Sequence, residues 1–249
     1  MKNETIVKDR IEGAGKLVVA IPQIQNMSHE EYALARKNYL GASDSSILCG
    51  VNLYKDLNQL IKEKNAKYLT DEEKEVSEKA IVKKGYDLEP IILNKATEAL
   101  TDLGYIGMLY KPEDMYAFKD VEGLSVNYDG VWIDTDNMFP VEAKLVSKWG
   151  EKYYNKSITI EQAKQIDMKI EGDDLASHIK KKANKFGIPA YYYTQVQQEL
   201  AGLDAPYGYL AAMFDDSWDF KIYYVKRDDY TISKLYQIAE NVIQMINRN

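Results

Sequence analysis

Cysteine and histidine are almost missing from this sequence. Cys49 is the single cysteine. The chain can therefore close no internal disulfide and build no four-cysteine zinc or iron–sulfur site, and a reducing cytosol is expected. His29 and His178 are the only histidines. They are too few, and too far in sequence from the acidic motifs, to support a histidine-based mechanism, and surface positions are expected for both. Long apolar runs are missing too: no stretch approaches the roughly 18 residues of a membrane span. No secretory apolar region follows Met1-Lys2-Asn3-Glu4-Thr5, and Leu17-Val18-Val19-Ala20-Ile21 is short enough to read as a strand. Internal repeats and low-complexity tracts are absent. Positive charge is in deficit, with a formal net charge of −7. That argues against broad nonspecific binding of nucleic acid but leaves room for local patches. One such patch, Lys180, Lys181, Lys182 and Lys185, is either a solvated helix face or a contact to a DNA backbone.

What is present suits one large domain. The 249 residues, 45% of them hydrophobic, can bury a sizeable core. Residues 1–27 read as a weakly patterned N-terminal arm and 28–249 as a single domain. Ser28-His29-Glu30-Glu31 is a capping box for a helix to about Asn38. Gly41-Ala42-Ser43-Asp44 breaks the chain and starts a short helix ending at Gly50. Asp56 caps a helix to about Asn65, and Thr70-Asp71-Glu72-Glu73 opens another to about Lys84. A break at Gly85 and Pro90 in a first turn predict a helix over 87–103, stopped by Gly104. The stretch 105–118 has strand character, with a break at Pro112. Helices are expected at 159–171, 174–186, from Pro189 to Leu200 with Gly202 as terminator, and at 231–247. Strands are expected at 207–214 and 220–226. The order is that of a mixed α/β fold with one core.

The most informative stretch is 125–146. Asp134-Thr135-Asp136-Asn137 is turn-rich and lies between two apolar segments, predicting a hairpin. Placing Ile133 opposite Met138 puts Asp129 opposite Glu142. Opposed residues share a face with Cβ atoms about 4.5–5.5 Å apart, and like charges there are destabilising. A divalent cation would compensate them. Lys144 lies two residues on and projects from the same face.

Asp129, Glu142 and Lys144 form an Asp-x12-Glu-x-Lys pattern that fits metal-dependent phosphodiester hydrolysis. Magnesium needs only two or three carboxylates because it keeps several waters. Asp129 and Glu142 supply two, and the backbone carbonyl of Ala143 is a further oxygen. Lys144 suits a cation that orients the attacking water, lowers its pKa or stabilises the transition state. Glu89 is the candidate third carboxylate. The competing reading of Glu89 is a charge that complements a helix dipole.

With these residues in view, the sequence resembles the PD-(D/E)XK nucleases, and within them the YqaJ-like viral recombinases that include lambda exonuclease. Arg36-Lys37-Asn38-Tyr39-Leu40-Gly41-Ala42-Ser43-Asp44 looks like that family's N-terminal motif. Gly85-Tyr86-Asp87-Leu88-Glu89-Pro90 looks like its Gly-x-x-x-Glu-Pro helix. Pro189-Ala190-Tyr191-Tyr192-Tyr193-Thr194-Gln195-Val196-Gln197 looks like its Tyr-x-x-Gln-x-Gln helix. Tyr32 and Lys84 stand where tryptophan is frequent, and Ala42 where a second glycine is. The resemblance implies a central mixed β-sheet flanked by helices. It implies a Mg2+-dependent exonuclease, with Mn2+ as a substitute, that digests the 5′-ended strand of double-stranded DNA. The 3′ single-stranded tails left behind would pass to a single-strand annealing protein in phage-type recombination in a bacterial cytoplasm. Relatives form trimers, so a homo-oligomer is implied.

The implied roles are specific. Glu89, Asp129 and Glu142 would be metal ligands or their close support, with Ala143 adding its carbonyl, and Lys144 would be catalytic. Arg36 and Ser43, with Asp44 beside them at a helix N-terminus, would grip the 5′-phosphate or scissile region. Plain alternatives are a surface cation for Arg36 and a helix cap for Ser43. Gln195 and Tyr192 share a helix face. Gln195 would bond a phosphate or a water at the metal, and Tyr192 would meet substrate; alternatively both are packed against the sheet. The other readings of the whole are a restriction- or repair-type endonuclease on the same scaffold, and a DNA- or protein-binding module without turnover. The twenty tyrosines are read mainly as half-buried core, with base stacking as the alternative.

Overall fold

The computed structural model describes residues 2–155 and 158–246. The N-terminal part runs α1 (Lys2–Gly13), β1 (Leu17–Ile21), α2 (His29–Ala35), α3 (Ser45–Leu48), α4 (Leu57–Asn65), α5 (Asp71–Glu78) and α6 (Ala80–Asp102). The middle is β2 (Met108–Tyr110), β3 (Met115–Phe118), β4 (Ser125–Val126), β5 (Gly130–Ile133) and β6 (Met138–Val146). The rest is α7 (Ile160–Lys164), α8 (Leu175–Phe186), α9 (Ala190–Leu203), β7 (Tyr207–Phe214), β8 (Phe220–Lys226) and α10 (Asp229–Ile246). A five-stranded sheet has the order β2-β5-β6-β7-β8, and a three-stranded sheet the order β1-β3-β4. In the larger sheet β6 and β7 are parallel and the other neighbours antiparallel. A parallel pair needs a long crossover. Residues 147–206 supply it and bring α9 against β6, while α6 also packs on β6. This is the expected mixed α/β core with helices against the sheet.

Local chemistry explains most element ends. Capping boxes close the N-termini of α2 (Ser28 with Glu31), α4 (Asp56 with Gln59) and α5 (Thr70 with Glu73). Asp174 caps α8, and Gly187 ends it at φ 77°. In the hairpin turn, Asp134 Oδ1 accepts from the N–H of Asp136 at 2.8 Å and of Asn137 at 2.7 Å, and Ile133 faces Met138 as expected. β7 is buried along nearly all its length, as a parallel-paired strand covered on both faces must be.

Several expectations are corrected. The N-terminal segment is no loose arm. Val7, Ile11 and Leu17 are buried in the main core, and β1 pairs with β3, so tertiary burial organises a segment with weak local pattern. Gly85 breaks nothing, because α6 runs through both Gly85 and Pro90. The break falls at Lys79, whose extended backbone (ψ 131°) separates α5 from α6. Burial of Ile92, Ala96 and Leu100 outweighs the hydrogen bond that Pro90 cannot donate. The stretch 105–118 divides between the two sheets. The helix expected over 159–171 stops at Lys164, since the Asp167 carboxylate takes the Lys169 N–H in a turn of its own. Position 247, expected to end the last helix, lies outside the described residues, as does the side chain of His29.

His178 is fully buried rather than exposed. Its Nδ1 accepts from the Glu171 N–H at 3.0 Å, so Nε2 carries the hydrogen given to Asp228 at 2.7 Å. Asp228 also accepts from Tyr193 and Thr231. The lysine patch is divided as well. Lys182 is buried and paired with Glu171 at 2.8 Å. Lys185 meets the same carboxylate at 2.6 Å and is exposed, as are Lys180 and Lys181.

Gly202 lies inside α9, and the helix ends instead on Asp204 at φ 52°. A Cβ at position 202 would collide with Tyr128 Oη and crowd Leu17. Gly202→Ala should therefore destabilise the fold by about 1–2 kcal/mol, despite alanine's helix preference. Urea unfolding with an unchanged m-value checks this, and a gain in stability would contradict the packing.

Candidate active site

The hairpin, α6, α9 and the loop before α3 together line a cleft of about 820 Å³. The lining includes Arg36, Ser43, Glu89, Asp129, Glu142, Ala143, Lys144, Tyr192 and Gln195. Of the candidate catalytic, substrate-binding and metal-holding residues, only Asp44 is missing from this surface.

The ladder between β5 and β6 begins at Gly130–Val141, so Asp129 is not a paired position opposite Glu142. It turns off the strand end, and its Oδ2 accepts from the Ala143 N–H at 3.0 Å. The N–H and C=O of one strand residue point to the same side. The Ala143 carbonyl therefore faces the Asp129 side of β6, away from β7. Glu142 is buried, 1% exposed, in the middle of β6. Its Oε1 accepts from Lys144 Nζ and from Gln195 Nε2. Its Oε2 is buried with no donor in good hydrogen-bonding geometry. It adjoins the Glu199 carboxyl, whose interaction with Glu142 favours the charged form of Glu142, and a proton or a cation is what two such buried acids require. Lys144 Nζ is 3.8 Å from Asp129 Oδ2 and 5.3 Å from the centre of the Tyr192 ring.

The electrostatics follow from this crowding. Burial, then the charge of Asp129, pushes the Glu142 carboxyl up to about 7, against the pull of Lys144. Burial alone would lower Lys144, but Glu142 and Asp129 outweigh it and hold the ammonium well above its ordinary range. Lys144 is thus held in its charged form between the two acids. Glu89 is raised first by burial and then by Asp129, with Lys111 opposing. Lys111 forms an ion pair with Glu89 across the cleft. Glu89 sits in the third turn of α6, not in a first turn, so a simple dipole-complementing role does not describe it.

Sequence reasoning missed Glu199. It is buried on α9, and its Oε1 accepts from Gln195 Nε2 at 3.2 Å. Burial first, then the adjoining Glu142, raises it well above the ordinary carboxyl value. The signal was available, because Glu199 is four residues past Gln195 on the same helix face. Gln197 and Gln198, by contrast, serve the fold. Gln197 bonds the Lys226 carbonyl at 2.9 Å and the Asp228 N–H at 2.7 Å. Gln198 Nε2 donates to Ser125 O at 2.7 Å.

Arg36 and Ser43 form the other wall. Arg36 Nη2 donates to Ser43 Oγ at 3.0 Å, and its guanidinium lies 5.7 Å from the Tyr32 ring. Gly41 makes room: a Cβ there would stand 3.2 Å from Arg36 Nη2. Asp44 was expected at the substrate, but its carboxylate holds Lys64 at 2.8 Å and the Gly41 N–H at 3.0 Å. Burial would raise Asp44, yet Lys64 and Arg36 together with these bonds keep it below the ordinary range. It shapes the loop that carries Ser43.

The donor set suits a hard divalent cation. It consists of carboxylate and carbonyl oxygens, with the Glu142 carboxyl buried. Among the described residues, no three acidic, histidine or cysteine side chains converge as a ready-made metal cage. An ion held here would rest on Asp129, Glu142, the Ala143 carbonyl and water.

An Asp…Glu-x-Lys constellation on a strand hairpin of a mixed sheet, with a glutamine from a packed helix turned onto the acid, defines a nuclease. The chain belongs to the family of the YqaJ-like viral recombinase domain, whose model matches residues 31–204. Its fold is similar to an alkaline exonuclease (LHK-Exo) from Laribacter hongkongensis, and to the same enzyme in complex with dAMP. In each comparison the TM-score is 0.56 at 15% identity, covering 88% of this chain and 93% of the other. A comparison with curated proteins gives no match. Among the described residues, no helix is long and apolar enough to cross a membrane.

Proposed function

We propose that this protein is a Mg2+-dependent exonuclease that degrades the 5′-ended strand of linear double-stranded DNA. The surviving 3′ tail would be taken up by a single-strand annealing protein. The observation that carries the reading is the buried Glu142 carboxyl, crowded by Asp129 and Glu199 and set beside the Ala143 carbonyl and Lys144, in one cleft with the Arg36–Ser43 pair. The dAMP complex of the LHK-Exo enzyme, which shares the fold, is in keeping with single-nucleotide release.

Asp129, Glu142 and the Ala143 carbonyl would hold the cation, with Glu89 facing them across the cleft. When bound, the ion supplies Lewis acidity at the phosphate and at the attacking water. Lys144, held protonated by its two acids, stabilises the negative charge that builds on the phosphoryl oxygens as the P–O bond breaks. Gln195 locks the Glu142 carboxylate by its amide, and Glu199 holds Gln195 in turn. Arg36 offers a planar donor pair to a terminal phosphate, with Ser43 beside it. Tyr192 covers Lys144 and limits water access from that side.

End-labelled linear duplex and closed circular DNA, each with Mg2+ and with EDTA, test the reading. Progressive loss from 5′ ends only with Mg2+, with circles left intact, is expected. Cutting of circles would make the protein an endonuclease, and loss from 3′ ends would reverse the polarity. Arg36→Ala should slow digestion of 5′-phosphorylated ends by about 10-fold or more, the scale of a lost charged hydrogen bond, while 5′-hydroxyl ends change little. Equal loss on both substrates would reject phosphate recognition by Arg36.

A further inference from the structure

We propose that a second groove, separated from the cleft by the Tyr191–Tyr192 ring pair, binds the bases of an unpaired DNA strand; this rests on the nuclease reading above. The groove encloses about 290 Å³ and is lined by Tyr153 and Tyr191 together with Val51, Leu53 and Ile188. A row of tyrosines links it to the reacting groups. Tyr192 lies over Lys144 in the cleft. Its ring meets Tyr191 at 4.5 Å between centroids, and Tyr191 meets Tyr153 edge-on at 6.3 Å.

These tyrosines differ from the core ones. Tyr116, Tyr128, Tyr193 and Tyr209 are at most 1% exposed, whereas Tyr153 is 40% and the neighbouring Leu53 51% exposed. Positive charge borders the aromatic faces. Lys152 Nζ stands 5.0 Å from the Tyr153 ring, and Lys180 lines the same groove. Accessible aromatic rings beside cations are the two parts that single-strand recognition requires, one for the bases and one for the phosphates. An intact duplex hides the faces of its bases in the stack, so the occupant is a strand freed at a frayed or partly digested end. The groove gives that strand a path away from Lys144.

The test uses the full chain, a fluorescein-labelled oligothymidylate and EDTA, with affinity read by anisotropy. Tyr153→Ala and Lys180→Glu should each weaken binding by about 10-fold, the scale of one lost base–aromatic stack or phosphate contact, and Tyr153→Phe should keep wild-type affinity. Irradiating an oligonucleotide that carries 5-iodouracil should crosslink Tyr153 or Tyr191. Wild-type affinity in both the Tyr153→Ala and Lys180→Glu variants, or crosslinks confined to other peptides, would overturn the proposal. So would a change of oligomeric state in Tyr153→Ala with oligonucleotide affinity unchanged, which would make the groove a contact between copies. If Tyr153→Ala does not fold, Lys180→Glu at its exposed position decides. Mg2+-dependent duplex digestion by the same preparation separates the two readings: its absence removes the nuclease reading, while its presence with unaltered oligonucleotide binding removes the groove alone.

Discussion

Lys144→Ala should reduce duplex cleavage at saturating Mg2+ by about 10²- to 10³-fold, the loss typical of one preorganised electrostatic group. Lys144 is the one ammonium bonded to Glu142 among the described residues, and it is also within 4 Å of Asp129, so no neighbour replaces it at the reacting phosphate. The fold should survive. Removing one partner of a buried pair is costly when it strands a charge, but Glu142 is already pushed up to about 7 and takes a proton instead. Circular dichroism and the unfolding midpoint should stay near wild type while single-turnover cleavage collapses. A wild-type rate in this variant would place the chemistry elsewhere in the molecule.

Asp129→Asn should lower Mn2+ affinity at least about 10-fold, the loss already seen when a group one shell beyond the ligands is removed. The substitution is chosen for its geometry. An asparagine Oδ1 still accepts the Ala143 N–H that Asp129 Oδ2 takes at 3.0 Å, so the end of the hairpin is kept and only the charge is lost. Calorimetric titration with Mn2+ reads the affinity directly. The rise in unfolding temperature that Mn2+ gives the wild type should shrink in parallel. Undiminished binding would mean that the cation rests on Glu142 and Glu89 without Asp129, and the donor set would have to be redrawn.

Much of the site was legible because hairpin register is a short-range property. The Asp134 turn sets Ile133 against Met138, and the period of two along β6 then fixes the order of Glu142, Ala143 and Lys144. What that register did not give was the turn of Asp129 off the strand end, which depends on the Ala143 N–H being left unpaired beyond Gly130. Arg36 and Ser43 were found through a motif, and they do meet. Asp44 belonged to the same motif but is taken by Lys64, a residue on another helix. Helix boundaries failed where Gly85 was read as a break, Pro90 as a first-turn residue and Gly202 as a terminator. Both lie inside α6, and Gly202 lies inside α9.

The amino-acid order alone determined the capping boxes, the hairpin, β7 and β8, since each depends on contacts within a few residues of the chain, and its motifs marked the candidate site residues. Only the tertiary structure decided the rest. Packing α9 on β6 brings Gln195 and Glu199 onto Glu142, the α6 crossing brings in Glu89 with Lys111, and burial sets the charge states of all of them. The reason is one of range: hydrogen-bonded turns and strand alternation are local, whereas desolvation and ion pairing belong to whichever groups the folded chain gathers in one place.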